Sequence, residues 1–214
     1  MQPTAVLFDM DGVVVDSERY WVDIEETRIY PAVVEGSVDA EETTGMNFRE
    51  IYDYLDEHYE TTVDKSAFVE RYEEAARDLY GERVDLMDGF RGLVSDLRAD
   101  DRRLALVSSS PPDWIDRVLD RFDVRAAFDE VVSAEEIDGP SKPDPGVYEY
   151  AAERVGVDPV DCVAVEDSEH GVQSASAAGM AVVGYRNRSG ADLDLSAADA
   201  VADSPDDLRA ILFE

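Results

Sequence analysis

Lysine is almost missing from this chain. Lys65 and Lys142 are the only two in 214 residues, so Arg makes up the rest of the 19 basic side chains. Cysteine occurs once, at Cys162, which therefore has no disulfide partner in the chain; within Cys162-Val163-Ala164-Val165 it reads as a small buried hydrophobe. No apolar run approaches the length of a membrane span. The first apolar run begins so close to Met1 that it leaves no room for a signal peptide. Internal repeats and low-complexity tracts are also missing. Together these absences lead to the expectation of a soluble cytoplasmic protein with no membrane partner.

Positive charge is scarce overall. The chain carries 51 Asp and Glu against 19 Lys and Arg, a formal net charge of −32, with the acids spread along its length. Such a field repels nucleic-acid phosphates and anionic lipid, so neither is expected as a partner. Diffuse acid with almost no Lys resembles the proteins of salt-adapted (halophilic, archaeal) organisms. At molar salt the Debye length shrinks to about 3 Å and self-repulsion is screened. A disordered acidic chain would share the charge but not the regular apolar strands.

What is present is an alternation. Short apolar runs at Thr4 to Phe8, Leu104 to Val107, Val131 to Val132, Cys162 to Val165 and Ala181 to Gly184 read as buried strands, with Ala200-Val201-Ala202 as a sixth, at an edge. Between the later runs, apolar residues recur at helical spacing: Trp114-Ile115, Val118-Leu119 and Phe122, then Val147-Tyr148, Ala151-Ala152 and Val155. A last helix is expected from Pro205 to Leu212. Alternating strands and helices predict an α/β fold, a doubly wound (Rossmann-like) parallel sheet with helices on both faces. The 44% hydrophobic content suffices for its core.

One stretch breaks the alternation. From about Ser17 to Val84 there is helical periodicity and no convincing strand, as in Ile51, Tyr54-Leu55 and His58, then Phe68-Val69, Tyr72, Ala75-Ala76 and Leu79. The expected organisation is a core of residues 1–16 and 85–214 with an inserted α-helical cap domain, residues 17–84.

Chemistry is signalled where apolar runs end in polar residues. Ala5-Val6-Leu7-Phe8 breaks into Asp9-Met10-Asp11-Gly12, placing two carboxylates at one strand end, with Gly12 free to turn the chain sharply. The other Asp-x-Asp, Asp192-Leu193-Asp194, follows no strand and reads as a solvated loop. Leu104 to Val107 ends in Ser108-Ser109-Ser110, where hydroxyls and backbone N–H groups can bind phosphate oxygens; taken alone, this reads better as a Ser-rich turn or helix N-cap before Pro111-Pro112. Ser141-Lys142-Pro143-Asp144-Pro145 keeps a Lys where the composition disfavours one, which suggests that a compact ammonium is required there. Cys162 to Val165 ends in Glu166-Asp167-Ser168, followed by the small residues Gly171, Ala175, Ala178 and Gly179. Asp167 or Ser168 could also be a plain N-cap. In open α/β sheets, sites sit outside the strands' carboxyl ends, where all four segments fall.

These four segments resemble the motifs of the haloacid dehalogenase-like hydrolase superfamily, and the likeness spans nearly the whole chain. The helical insertion resembles the cap of the β-phosphoglucomutase and phosphoglycolate phosphatase branch. The resemblance implies a phosphotransferase rather than a dehalogenase, because Asp11 is present. It implies that Asp9 is the nucleophile and forms an aspartyl-phosphate, and that Asp11 protonates the leaving oxygen and then activates water. It further implies that Ser108, Ser109 and Lys142 hold the phosphoryl oxygens. Mg²⁺ would be bound by the Asp9 carboxylate, the Asp11 backbone carbonyl and Asp167, with Glu166 as ligand or neighbour. The implied substrate is a small-molecule phosphate ester, and the implied state a monomer or weak homodimer.

Two cap positions depart from the mutase pattern. The sugar-positioning His falls at Trp21, and the Arg expected three residues after Gly45 falls at Phe48, with Arg49 one step further. Phosphatase is therefore the first reading, phosphomutase the second, and a non-catalytic acidic interaction protein the third. His170 could line the site, His58 is expected to be a partly buried helix residue, and Trp21 is either a substrate contact or hinge packing.

Overall fold

β1 (Ala5–Asp9) lies near the middle of a six-stranded parallel sheet of order β3-β2-β1-β4-β5-β6. The computed structural model describes residues 3–43, 46–186 and 194–214. The other strands are β2 (Arg103–Ser108), β3 (Glu130–Ser133), β4 (Cys162–Glu166), β5 (Ala181–Tyr185) and β6 (Ala200–Ala202). Every pairing is parallel. A parallel sheet covered on both faces needs apolar side chains at successive positions, which is why its inner strands read as continuous apolar runs.

The period-2 pleat divides those runs between two cores. Val6 and Phe8 of β1, Leu104 and Leu106 of β2, and Val163 and Val165 of β4 pack on one face. Ala5 and Leu7, Ala105 and Val107, and Cys162 and Ala164 pack on the other. Helices α4 (Phe90–Ala99), α5 (Pro112–Phe122) and α8 (Pro205–Phe213) cover the first face; α6 (Gly146–Val155) and α7 (Glu169–Ala177) cover the second. The expected doubly wound sheet is therefore the observed one, with β6 at the edge. Cys162 is buried in the second core, as expected.

Between β1 and α4 the chain is helical: α1 (Glu18–Ile24), α2 (Phe48–His58) and α3 (Lys65–Asp78). α1 and α3 each run on into a π-helical turn, Glu25–Ile29 and Leu79–Arg83. Such turns shift the side-chain register of a helix and recur at functional sites. The helices of this insert share the first core, through Trp21, Phe48, Tyr72 and Tyr80. Among the described residues, no helix is long and apolar enough to cross a membrane.

Some boundaries differ from the sequence reading by a residue at either end, most tellingly at the carboxyl ends of three strands. β1, β2 and β4 extend past the last apolar residue to include Asp9, Ser108 and Glu166. Main-chain pairing is indifferent to side-chain polarity, so the ladder carries these side chains to its end. In α2 the buried face is Phe48, Ile51 and Leu55; His58 is exposed, with its ring on Tyr54 at 4.3 Å between centroids, not partly buried as the spacing suggested. Gly45 and Asp192-Leu193, used in the sequence reading, lie outside the described residues.

Candidate active site

Phe8 pairs with Val165 in the sheet, so Asp9 and Glu166 leave neighbouring strands side by side. Lys142 reaches between them from the loop before α6. Its Nζ donates to Asp9 Oδ1 at 2.7 Å and to Glu166 Oε1 at 2.6 Å. The Tyr148 hydroxyl of α6 also donates to Glu166 Oε1, at 2.6 Å, and its ring lies 5.2 Å from the ammonium. Ser168 donates to Glu166 Oε2 at 3.3 Å and caps α7 by accepting from the Gly171 N–H. The N-cap role thus falls to Ser168, and Asp167 joins the cluster.

Asp9, Glu166 and Asp167 each offer a carboxylate oxygen within 4.8 Å of the others, and all three are buried. Burial raises the Asp9 carboxyl well above its ordinary range; Lys142 opposes that rise, while Glu166 and Asp11 add to it. Burial raises Asp167 as well, reinforced by Glu18, Asp9, Glu166 and Asp11. Burial works against the Lys142 ammonium, but Asp9 and Glu166 outweigh it and hold the pKa above that of an ordinary lysine. Two of the three buried carboxyls share one ammonium, and the raised Asp9 and Asp167 mark an excess of negative charge. The donor set is all oxygen and suits a hard divalent cation such as Mg²⁺.

Asp11 is held differently. Ser17 and Tyr80 both donate to its Oδ1 at 2.6 Å, and Ser110 donates to Oδ2 at 2.8 Å. Ser17 precedes α1 and Tyr80 lies in the turn after α3, so both connections of the helical insert close on one carboxylate. The chain turns sharply just after Asp11 at Gly12, where φ is +76°.

These groups open onto a cavity of about 140 Å³. Asp9, Asp11, Lys142 and Asp167 form its floor, with Ser109 and Ser110 at one side. The insert lines the same cavity through Glu18, Trp21, Glu25, Asn47, Phe48 and Tyr72. Trp21 stacks on both Tyr72 and Trp114, so it packs at the hinge and lines the cavity at once. Burial pushes Glu18 up to about 8, helped by Asp11 and Glu25. It pushes Glu25 up to about 7, against the hydrogen bonds from Tyr72 and Tyr30.

The sequence-predicted residues divide three ways. Asp9, Asp11, Lys142, Asp167 and Ser109 all border the cavity, and Glu166 lies directly behind it. Ser108 is buried beneath the wall, where its Oγ accepts from the Ser110 N–H at 3.0 Å. His170 is not among the cavity's lining residues. Arg49 pairs with Glu135, its Nε at 2.8 Å from Oε1. Sequence reasoning missed Glu18, Glu25, Tyr80 and Tyr148, and flagged Ser110 only as part of the Ser108-Ser109-Ser110 segment. A Tyr or Glu on a helix in so acidic a chain carries no local mark of a site; only the fold brings these side chains to Asp11, Glu166 and the cavity.

The chain matches the model of the haloacid dehalogenase-like hydrolase family over residues 6–185. It is 34% identical to hexitol phosphatase B of Escherichia coli K12 over 184 residues, 84% of this chain and 82% of that one. It is 29% identical to the β-phosphoglucomutase of Bacillus subtilis over 194 residues, 84% and 82% of the two chains. The structure superposes on that of CbbY from Rhodobacter sphaeroides with a TM-score of 0.81 at 21% identity, covering 94% of each chain.

Proposed function

Because the chain belongs to the haloacid dehalogenase-like hydrolase family, as a phosphoric monoester hydrolase, we propose that it cleaves a small sugar or polyol phosphate with Mg²⁺ through an aspartyl-phosphate on Asp9. One observation carries this reading: Asp9 ends a buried strand within reach of Asp167 and Lys142, and Asp11 opens onto the same cavity two residues later.

Asp9, Asp167 and the Asp11 carbonyl would hold Mg²⁺, which when bound offsets the repulsion between carboxylates and the phosphoryl oxygens. Glu166, already engaged by Lys142, Tyr148 and Ser168, orients the ammonium rather than binding metal. Lys142 and the Ser108-Ser109 turn steady the phosphoryl oxygens. An Asp9 carboxylate oxygen attacks phosphorus, the bond from phosphorus to the ester oxygen breaks, and Asp11 gives that oxygen its proton. Water then attacks the aspartyl-phosphate, Asp11 takes the water's proton, and inorganic phosphate leaves with Asp9 restored. Splitting one displacement into two lowers each barrier.

Residues 17–84 serve as the cap that closes the site and contacts the leaving group. Three contacts support the closed arrangement: Asn47 Nδ2 to the Ser109 carbonyl at 3.2 Å, Arg49 to Glu135, and Ser141 to Glu50 at 2.8 Å. The phosphomutase reading loses ground here, because Arg49 is turned to Glu135 rather than to a second phosphate. The composition supports a cytoplasmic enzyme of a salt-adapted organism with no nucleic-acid or membrane partner; a monomer or weak homodimer is carried over from the family resemblance.

A panel of phosphate monoesters in molar KCl tests the reading, with Mg²⁺ or with EDTA. Phosphate release is expected only with the metal, and Asp9→Asn is expected to abolish it while leaving the fold intact. An Asp9→Asn protein with near wild-type turnover would overturn the covalent mechanism.

A further inference from the structure

α1 and the π-helical turn that continues it present one face to the cavity. Glu18, Trp21, Val22 and Glu25 lie on that face, at the i, i+3, i+4, i+7 spacing that gathers side chains on one side of a helix. Glu25 is fixed from outside its own helix, because the Tyr72 hydroxyl of α3 donates to its Oε1 at 2.8 Å. The wall beside these acids is aromatic. Trp21 and Trp114 stack with 5.5 Å between centroids, and Phe48 stacks on Trp114 at 4.9 Å.

Among the described residues, no cation lining the cavity is free to offset these acids. Among the described residues, no Lys, Arg or His of the insert lines the cavity. Arg49, next in the chain to Phe48, is drawn off to Glu135. The one ammonium at the cavity, Lys142, is already shared between Asp9 and Glu166 on the phosphoryl side. The site therefore combines the strand-end carboxylates and Lys142 with an acidic, aromatic surface that the insert contributes.

Resting on the phosphatase reading, we propose that Glu25, with Glu18 on the same face, determines specificity for the leaving group: the site admits an uncharged, hydroxyl-bearing leaving group and rejects one that carries a carboxylate or a second phosphate. Hydroxyls can donate to these carboxylates, whereas an anion offers them only further acceptors. Once these carboxyls are ionised, like charges in a confined, low-dielectric space repel strongly, and among the described residues that line the cavity no free cation relieves the repulsion. The stacked rings can pack against the C–H face of a carbohydrate without any demand for charge. Discrimination then comes from the penalty on the wrong ligand as much as from contacts with the right one.

Glucitol 6-phosphate and 6-phosphogluconate form a matched pair, differing only at C1, a hydroxymethyl group against a carboxylate. kcat/KM is measured for both with wild-type enzyme, Glu25→Gln and Glu18→Gln, at about pH 9, where both carboxyls are ionised. The wild type is expected to favour glucitol 6-phosphate by about 10-fold or more, and Glu25→Gln to narrow that ratio at least about 5-fold. A purely structural role for Glu25 would change both substrates alike and leave the ratio where it was, which overturns the proposal. Equal wild-type turnover of the pair overturns it without any variant. So does hydrolysis of p-nitrophenyl phosphate with neither member of the pair cleaved. If the wild type fails even on p-nitrophenyl phosphate, the phosphatase reading itself falls, and this proposal with it.

Discussion

The Tyr80 hydroxyl donates to the Asp11 carboxylate at 2.6 Å, across 69 residues of sequence and from the far end of the helical insert. Trp21 Nε1 donates in turn to the Tyr80 oxygen at 3.0 Å, so Asp11, the proposed acid–base group, is braced by buried aromatics. Burial and Asp11 together raise the Tyr80 pKa well above its ordinary value, which keeps the phenol a donor throughout the working range. Tyr80→Phe keeps the ring packing, removes the brace and leaves the Trp21 N–H without that acceptor. Its kcat is expected to fall about 10- to 100-fold, less than the roughly 10²–10⁴-fold for Asp11→Asn. Steady-state rates of both variants check this; a Tyr80→Phe enzyme at full speed would show that Ser17 and Ser110 suffice to hold Asp11.

Gly171 carries a sharper constraint. A Cβ at that position would lie 2.0 Å from the Glu166 carboxyl group, closer than any real contact. Gly171→Ala must therefore displace Glu166, which helps to hold Lys142 beside Asp9. The expected result is a folded protein with lowered thermal stability, by about 1–3 kcal/mol for overpacking, and little activity. Calorimetry and turnover together decide it. A fully active Gly171→Ala enzyme would mean that the Glu166–Lys142 contact is dispensable.

Lys142 sits between two carboxylates with its ammonium over the Tyr148 ring, a space shaped for a compact cation. Lys142→Arg keeps the charge, but the planar guanidinium is longer and would intrude on the phosphoryl position. Activity is expected to be lost nearly as fully as in Lys142→Ala. Full activity of the Arg variant would refute the argument from the scarcity of Lys.

Those residues mark how far the sequence could be read. Asp9, Asp11, Lys142, Glu166 and Asp167 were legible because each follows an apolar run or stands against the composition. The sheet was legible for a related reason: strands buried on both faces, such as Val6 to Phe8, must be apolar throughout. Tyr72 and Tyr80 were not legible as site residues. Their helical spacing declares a buried face, but not which hydroxyl meets which carboxylate 47 or 69 residues away. His58 misled for the converse reason: the heptad-like spacing fitted, yet the buried face of α2 is set by Phe48, Ile51 and Leu55.

Glu25 gives stability a pH dependence. Its carboxyl is raised from 4.5 to about 7 in the folded protein, chiefly by burial. Between those values the native state keeps the proton that the unfolded chain has released. Folding is then coupled to proton uptake, so stability falls as pH rises through this window and levels off above it. Glu25→Gln removes that contribution. Thermal melts of metal-free protein at constant ionic strength should show the variant gaining on the wild type from about pH 5 to pH 8. Parallel curves would mean that Glu25 titrates as an ordinary exposed carboxylate.

Salt provides the broadest test. With 51 acids and 19 basic residues, at least 32 carboxylates cannot each have a cationic partner of their own. Many of the ion pairs that do form, such as Lys65–Asp53 and Arg154–Glu130, involve solvent-exposed side chains, where a pair contributes about 0.2–1 kcal/mol at most. Unscreened repulsion should therefore weaken the compact state in dilute buffer. Raising KCl from tens of millimolar to molar is expected to raise Tm and activity together, as the Debye length falls from about 10 Å or more to about 3 Å. Excluded solutes also strengthen apolar burial, so sucrose at equal water activity is the necessary comparison. Charge screening requires KCl to stabilise far more than sucrose. Equal stabilisation by both, or full stability at low salt, would remove salt adaptation as the explanation of the −32 charge and point instead to a cationic partner.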